Sequence, residues 1–474
     1  MFLTVNTQPP FGAAFFLNSI ASQILFSHIF ELGTSMTTIK RVPFRMKTLD
    51  DLVAEAERIG VELPVSENFS VFHNPITIGP MTLNSRFAVN PMEGFDADAD
   101  GTPTELSIRR YDRFAAGGAS LIWFEATAVV SEGRSNARQF WLHAENVDAF
   151  AALLERTRRI ARWQHGHELL AIIQLTHSGR YSKPDSVRAA PVIAQHSGVL
   201  DPVSGVTPET PLITDEQLNR LQDDYIQCAK LAAQAGFDGV DVKSCHGYLL
   251  NELLGSHTRE GYYGGSFENR TRFLRTTIAR IRDELPGTLV TSRLNVYDGI
   301  KQPWGFCSCP DDDKLWDLTE AKQLVSELQS LEVPLLNITI GNPYFNPHLN
   351  RPYEQQIRGV TPYDEHPLVG VSRFCHIVGE MQQAFPKLPM ITGGCAWLRH
   401  LVPYVAAGMI ELHWTTLFGQ GRGMFAYPDL VSGILTTGAM DPQKVCITCS
   451  SCTELMRRHQ PTGCAIRDRE YYRL

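Results

Sequence analysis

Beyond residue 80 the chain alternates short, continuously apolar runs with longer segments whose apolar residues recur at helical spacing. The strand-like runs are "RFAVNP" (86–91), "ASLIWFEA" (119–126), "LLAIIQL" (169–175), "GVDVK" (239–243), "LVTSRL" (289–294), "LLNITI" (335–340), "LPMITG" (388–393) and "IELHWTT" (410–416). Helical patterning separates them, as in "VDAFAALLERTRRIARW" (147–163) and "DEQLNRLQDDYIQCAKLAAQAG" (215–236). Continuous apolar character suits strands buried on both faces. Eight such strands alternating with helices predict an α/β fold, an eight-stranded parallel (β/α)8 barrel of the TIM type, over residues 72–437. The rival is a doubly wound sheet with a dinucleotide site, and its fingerprint is missing. In "GQGRGM" (419–424) the glycines stand too close together, and the motif follows the last strand instead of the first.

Three segments flank the barrel. Residues 46–71 are expected to hold a lead-in helix, "TLDDLVAEAERIG" (48–60), with Thr48 and Asp51 at capping-box spacing and Gly60 as its stop. Residues 1–45 are expected to form a poorly ordered extension, or to precede a true start at Met36 or Met46. Up to residue 39 they carry one formal charge, Glu31, so they lack the basic start of a secretory signal. Asn18, Ser19, Gln23 and His28 interrupt their apolar stretch, which disfavours a membrane span. Residues 438–474 are a short cysteine-rich extension.

Composition narrows the function. The chain is 43% hydrophobic and 20% charged, an ordinary globular balance. A net charge of −8 with no Lys/Arg block argues against a nucleic-acid surface. Four of the ten cysteines fall between Cys446 and Cys464, which suggests metal binding in a reducing, cytoplasmic setting more than a disulfide framework. A small-molecule substrate, an electron-transfer partner protein and a homo-oligomeric state are the expected partners.

In a parallel barrel the C-terminal strand ends form the active face. There the chain places Pro91-Met92-Glu93-Gly94, Glu125-Ala126-Thr127, Gln174 with His177, Arg293 with Asn295, Gly393-Gly394, and Gly419-Gln420-Gly421-Arg422. The glycine pairs let backbone N–H groups approach an anion, and Arg422 can neutralise it, which is the make-up of a phosphate site. The Gln174 amide suits a ring edge with paired N–H and C=O groups. Arg293, expensive to bury alone, calls for an anionic partner. Together these residues point to a phosphorylated, ring-bearing cofactor. The fourth strand ends in "KSCHGY" (243–248), where Lys243, Cys245, His246 and Tyr248 crowd one turn.

"GFDGVDVKSCHGYLLNELL…YGGSFENRTRFL", with "QLTHSGR" (174–180) before it and "GQGRGMFAYPDL" (419–430) after it, resembles the Old Yellow Enzyme family of FMN-dependent NADH:flavin oxidoreductases over roughly residues 72–435. The resemblance implies FMN across the strand ends. Pro91 and Met92 would touch it through backbone, and Ala126 would lie close by. Gln174 would bond the pyrimidine edge, and Arg293 would face the N1/O2 side. Gly393, Gly394, Gly421 and Arg422 would hold the phosphate. At the fourth strand it implies that Lys243 and His246 hydrogen-bond the substrate's activating group and that Tyr248 protonates the substrate. Lys243 departs from the common His and Asn or His pair, and Glu93 stands where many ene-reductases have Thr. Ser266 reads as a helix cap.

Cys446, Cys449 and Cys452 are separated by two residues each, and Cys464 follows. Such a set can hold a four-iron cluster, with zinc as the alternative. Its spacing resembles the trimethylamine dehydrogenase and 2,4-dienoyl-CoA reductase branch. Members of that branch continue into a nucleotide-binding region, which is expected here to be absent or on another polypeptide. The expected function is hydride transfer between FMN and a small organic substrate, as reduction of an activated C=C bond, with NAD(P)H or a partner protein as donor. The alternatives are an amine dehydrogenase or demethylase that passes electrons through the cluster, and a non-catalytic flavin- or zinc-binding subunit.

Overall fold

Eight parallel strands close on themselves: β1 (Phe87–Val89), β2 (Leu121–Ala128), β3 (Leu170–Thr176), β4 (Gly239–Val242), β5 (Leu289–Asn295), β6 (Leu336–Thr339), β7 (Met390–Thr392) and β8 (Leu417–Gln420). Each pairs with its neighbours in chain order, and β8 closes the ring on β1 through Gly419 opposite Ala88. The structure is a computed structural model that describes residues 42–357 and 363–472. The extension expected over residues 1–45 lies, up to residue 41, outside the described residues.

The barrel follows from the continuous apolar runs. β2 and β3 are buried at every position, as a sheet lined outside by helices requires. At the N-terminal end an antiparallel hairpin, Ile76–Ile78 with Met81–Leu83, packs Ile78 and Leu83 into a core with Ala88, Leu121, Leu170, Leu335 and Leu417. That end is filled with side chains, so chemistry belongs to the other rim. The lead-in helix Leu49–Ile59 has both bonds of its Thr48–Asp51 capping box and stops at Gly60, in the left-handed region at φ 73°. Ser266 caps the helix Phe267–Glu284 by accepting from the Asn269 N–H.

The eighth strand is a correction. Residues 410–416 do not form it: the helix Val402–Glu411 takes Ile410 and Glu411, and β8 begins at Leu417. The alternation in "IELHWTT" imitates a half-exposed strand, whereas the barrel needs one buried on both faces, and "LFGQ" is buried throughout. Among the described residues no helix is long and apolar enough to cross a membrane.

The cysteine-rich tail packs on the barrel as part of one compact unit, Ile39–Leu474. Asp468 accepts two 2.8 Å bonds from Arg109 and pairs with Arg113, both on the helix Glu105–Ala116. Thr462 N donates to Gly94 O at 2.6 Å. Burial pushes the Asp468 carboxyl up, but Arg109 and Arg113 outweigh it and hold it below the usual carboxylate range. This stabilisation is therefore complete above the ordinary carboxylate pKa and is lost as pH falls through the lower value of the folded state. Arg109 is partly exposed, so screening limits the clamp to about 1 kcal/mol. Asp468→Asn is expected to speed limited proteolysis of the tail at neutral pH, with the difference from wild type vanishing in acid.

Candidate active site

Closure of the barrel brings the C-terminal strand ends to one rim, where a cavity of about 400 Å3 opens. Pro91, Met92, Gln174, Arg293, Gly394, Gly421 and Arg422 line it, together with Lys243, His246 and Tyr248. Ala126 and Gly393 do not. Ala126 is buried in β2, where its carbonyl accepts from Gln139, and the Gly393 carbonyl accepts from the Cys395 thiol.

Gln174 stands opposite Ala126 on one side and Asp241 on the other. Its Nε2 donates to Asp241 Oδ2 at 2.6 Å, Trp123 Nε1 donates to the same oxygen at 2.8 Å, and the Arg293 N–H reaches Oδ1 at 2.6 Å. Burial pushes Asp241 up to about 6 against those donors. The carboxyl is thus occupied by neutral donors, and the buried Arg293 Nε has no hydrogen-bond partner. A donor left bare in a dry wall fits a ligand that brings an acceptor.

Across the cavity the backbone is kept open. A Cβ on Gly394 (φ +80°) would come within 2.6 Å of Phe374, and one on Gly421 within 2.9 Å of Met92 Sδ. Arg422 is only 8% exposed, and its Nη1 has no partner. Arg351 lies nearby. Burial, then the proximity of Arg422, pulls its guanidinium down to about 9. Two neighbouring guanidiniums, one buried and one half-buried, and two bare glycines fit a phosphate group, and with Gln174 and Arg293 they fit FMN.

The turn after β4 makes the reactive wall. Cys245 points into the core, where burial raises its thiol to about 12. His246 (φ 66°) and Gly247 (φ 73°) both lie in the left-handed region, and Tyr248 precedes the helix Leu249–Leu254. Such a backbone at a non-glycine residue costs energy and concentrates at functional sites. Burial keeps His246 well below its usual range, hence neutral. Asn350 Nδ2 donates to Ile340 O, which fixes its amide, and lies 3.0 Å from His246 Nε2. That ring nitrogen accepts, so the proton sits on Nδ1. Lys243 pairs with neither Asp241 nor Glu252. Glu252 is taken by Arg180 at 2.9 Å, and the Lys243 ammonium lies 3.6 Å from the centre of the Tyr248 ring. Tyr248 Oη lies within hydrogen-bond distance of the Glu93 carboxyl at 3.1 Å and sits 3.1 Å from Tyr344 Oη.

Several lining residues escaped the sequence reading. Tyr344, Asn350 and Arg351 come from the loop after β6, and Tyr181 stacks on Tyr344 with ring centres 3.9 Å apart. The only signal was the turn-rich "GNPYFNPHLNR" (341–351) after a strand to which no site residue had been given. The tail also contributes Cys452, Met456, Arg457, His459 and Thr462 to the wall. Cys446, Cys449, Cys452 and Cys464 line a second, small cavity of about 20 Å3, of which Arg422 is also a wall. Among the described residues no three His, Cys, Asp or Glu side chains converge as ligands of a metal ion.

A closed parallel barrel whose active rim carries bare glycines, guanidiniums and the polar groups of Gln174 and Arg293 has a rim that fits FMN. The chain belongs to the NADH:flavin oxidoreductase / NADH oxidase family, whose profile matches residues 70–394. It is 29% identical over 289 residues to an NADH:flavin oxidoreductase of Gibberella zeae, a match covering 56% of this chain and 66% of that one. It is 35% identical over 212 residues to an NADPH dehydrogenase of Halalkalibacterium halodurans, covering 44% and 59%. Each match spans less than two thirds of the relative's length. Among solved structures, 2-naphthoyl-CoA reductase in complex with 2-naphthoyl-CoA aligns with TM-score 0.67 at 19% identity, over 85% of this chain and 58% of that one. The Old Yellow Enzyme homologue of Zymomonas mobilis aligns with TM-score 0.59 at 20% identity, over 78% and 94%. At those identities the two structures establish the shared barrel.

Proposed function

We propose that this oxidoreductase reduces a C=C bond conjugated to a carbonyl group, with FMN as cofactor and NAD(P)H or a partner protein as electron donor. One observation carries the reading: Lys243, His246 and Tyr248, from a single strained turn, face the same cavity as Gln174 and Arg293. Bound FMN supplies the hydride. The Gln174 amide and the Arg293 guanidinium would hold its ring, and Arg422, Arg351, Gly394 and Gly421 would hold its phosphate. His246 Nδ1–H and the Lys243 ammonium stabilise the substrate oxygen as negative charge develops on it. Tyr248, kept protonated by burial, delivers a proton to carbon.

The tail favours a place in the trimethylamine dehydrogenase and 2,4-dienoyl-CoA reductase branch. Four cysteines surround one cavity, and Cys452 and Arg422 are walls of both that cavity and the flavin cavity. The shared wall favours iron over zinc, because a one-electron relay beside the flavin would let it exchange electrons with a partner. The same adjacency supports the second reading, an amine dehydrogenase whose electrons leave through the cluster.

Anaerobic protein is expected to show a flavin spectrum that NAD(P)H bleaches and an unsaturated ketone or aldehyde restores, with about four irons per chain. Bleaching by a tertiary amine, with no reoxidation by alkenes, would replace the first reading by the second. One zinc without iron would remove the relay.

A further inference from the structure

Glu93 is the only acidic residue among the described residues lining the flavin cavity, where it shares the wall with Arg180, Lys183, Lys243, Arg293, Arg351, Arg422 and Arg457. Yet its hydrogen-bond partners are neutral. Gln139 Nε2 donates to its Oε1 at 3.1 Å, and Tyr248 Oη lies 3.1 Å from Oε1 and 3.3 Å from Oε2. Gln139 cannot turn over: its Nε2 also donates to Ala126 O at 2.9 Å, and its Oε1 accepts from Ser135 N at 2.6 Å. Oε1 therefore faces a fixed donor, and Oε2 is the oxygen free to carry a proton.

We propose that Glu93 is the proton reservoir behind Tyr248, reloading that hydroxyl each time it has given its proton to the substrate. The proposal rests on the alkene-reduction reading. With Oε2 protonated, Glu93 donates to Tyr248 Oη, which leaves the tyrosine O–H free to turn to the substrate. As hydride from the reduced cofactor reaches one carbon of the C=C bond, the Tyr248 O–H bond breaks and a C–H bond forms at the other. The Glu93 O–H bond breaks as that of Tyr248 re-forms. The carboxylate then takes a proton from water through the cavity mouth, so one proton is consumed per hydride. With Glu93 ionised, the bond runs the other way: Tyr248 donates to the carboxylate and its proton is withheld.

The charged and titratable groups that face Glu93 are Lys243 and Cys245 at the end of β4, Tyr248 beyond the turn, Arg293 on β5 and Tyr344 on the β6 loop. Burial raises the Glu93 carboxyl above its ordinary range, against the pull of Lys243, the Tyr248 hydroxyl and Arg293. Turnover should therefore fall as pH rises through that raised value.

Two readouts test this on the holoenzyme. In infrared difference spectra of the oxidised, substrate-free protein, a protonated-carboxyl C=O band should titrate above the ordinary carboxylate range and be missing from Glu93→Gln. A site that is fully ionised above that range would overturn the proposal. Glu93→Gln preserves size and can still accept from Gln139, but it cannot supply a proton. In steady-state reduction of an unsaturated ketone it should be about 100-fold slow, at the low end of general acid catalysis, with a first stopped-flow turnover near the wild-type rate, and should lose the alkaline limb. Retention of the wild-type limb would overturn the proposal. Wild-type enzyme that no unsaturated carbonyl compound reoxidises would instead defeat the alkene reading, and the infrared titration would still decide whether Glu93 holds the proton.

Discussion

Tyr248→Phe is expected to retain its flavin and its reduction by NAD(P)H while reoxidation by an unsaturated carbonyl compound slows by about 10²–10⁴-fold, the usual contribution of a positioned acid. The hydroxyl is the group to lose because it is 1% exposed, kept protonated by burial, and aimed between Glu93 and Tyr344 at the cavity. The ring remains in Phe, so the Lys243 ammonium keeps its aromatic face and the wall keeps its shape. His246→Ala belongs to the same series. It removes a donor to the substrate oxygen, and a loss of about 10²–10³-fold confined to the same half-reaction is expected. Stopped-flow absorbance separates the two half-reactions. Equal loss in both would make these residues supports of the fold or of the flavin.

Arg422→Ala is expected to weaken flavin retention by about 1.5–3 kcal/mol, the worth of a hydrogen bond to a charged group, or about 10- to 150-fold in Kd. Its guanidinium is buried, has an unpartnered Nη1 and repels Arg351, so an anion between the two relieves an existing strain. Fluorescence titration of the apoprotein with FMN reads the change directly. Unchanged affinity would refute the phosphate role. A variant that also lost iron would link the two cavities, since Arg422 is a wall of both.

The barrel was legible because its evidence is local. Each strand buried on both faces shows itself as an unbroken apolar run, and seven of the eight runs contain or overlap the strands that form. The eighth failed because alternation in "IELHWTT" and a helix end look alike over seven residues. The strand ends were legible for the same reason, since Gln174, Lys243, Arg293 and Arg422 break or follow apolar runs where a polar residue has no local cause.

What the sequence by itself determined is which residues sit at the ends of buried strands, and hence where a site for a phosphorylated, ring-bearing cofactor was to be expected. Only the tertiary structure decided who meets whom. Closure puts Glu93 against Tyr248, 155 positions apart, and gives Asp241 to Gln174 and Trp123. It swings the β6 loop inward with Tyr344, Asn350 and Arg351, and lays the cysteine tail along the flavin cavity. The physical reason is that periodicity reports how much water a residue sees. The partner of a buried charge is set by the register and closure of the whole ring, to which residues far apart in the chain contribute equally.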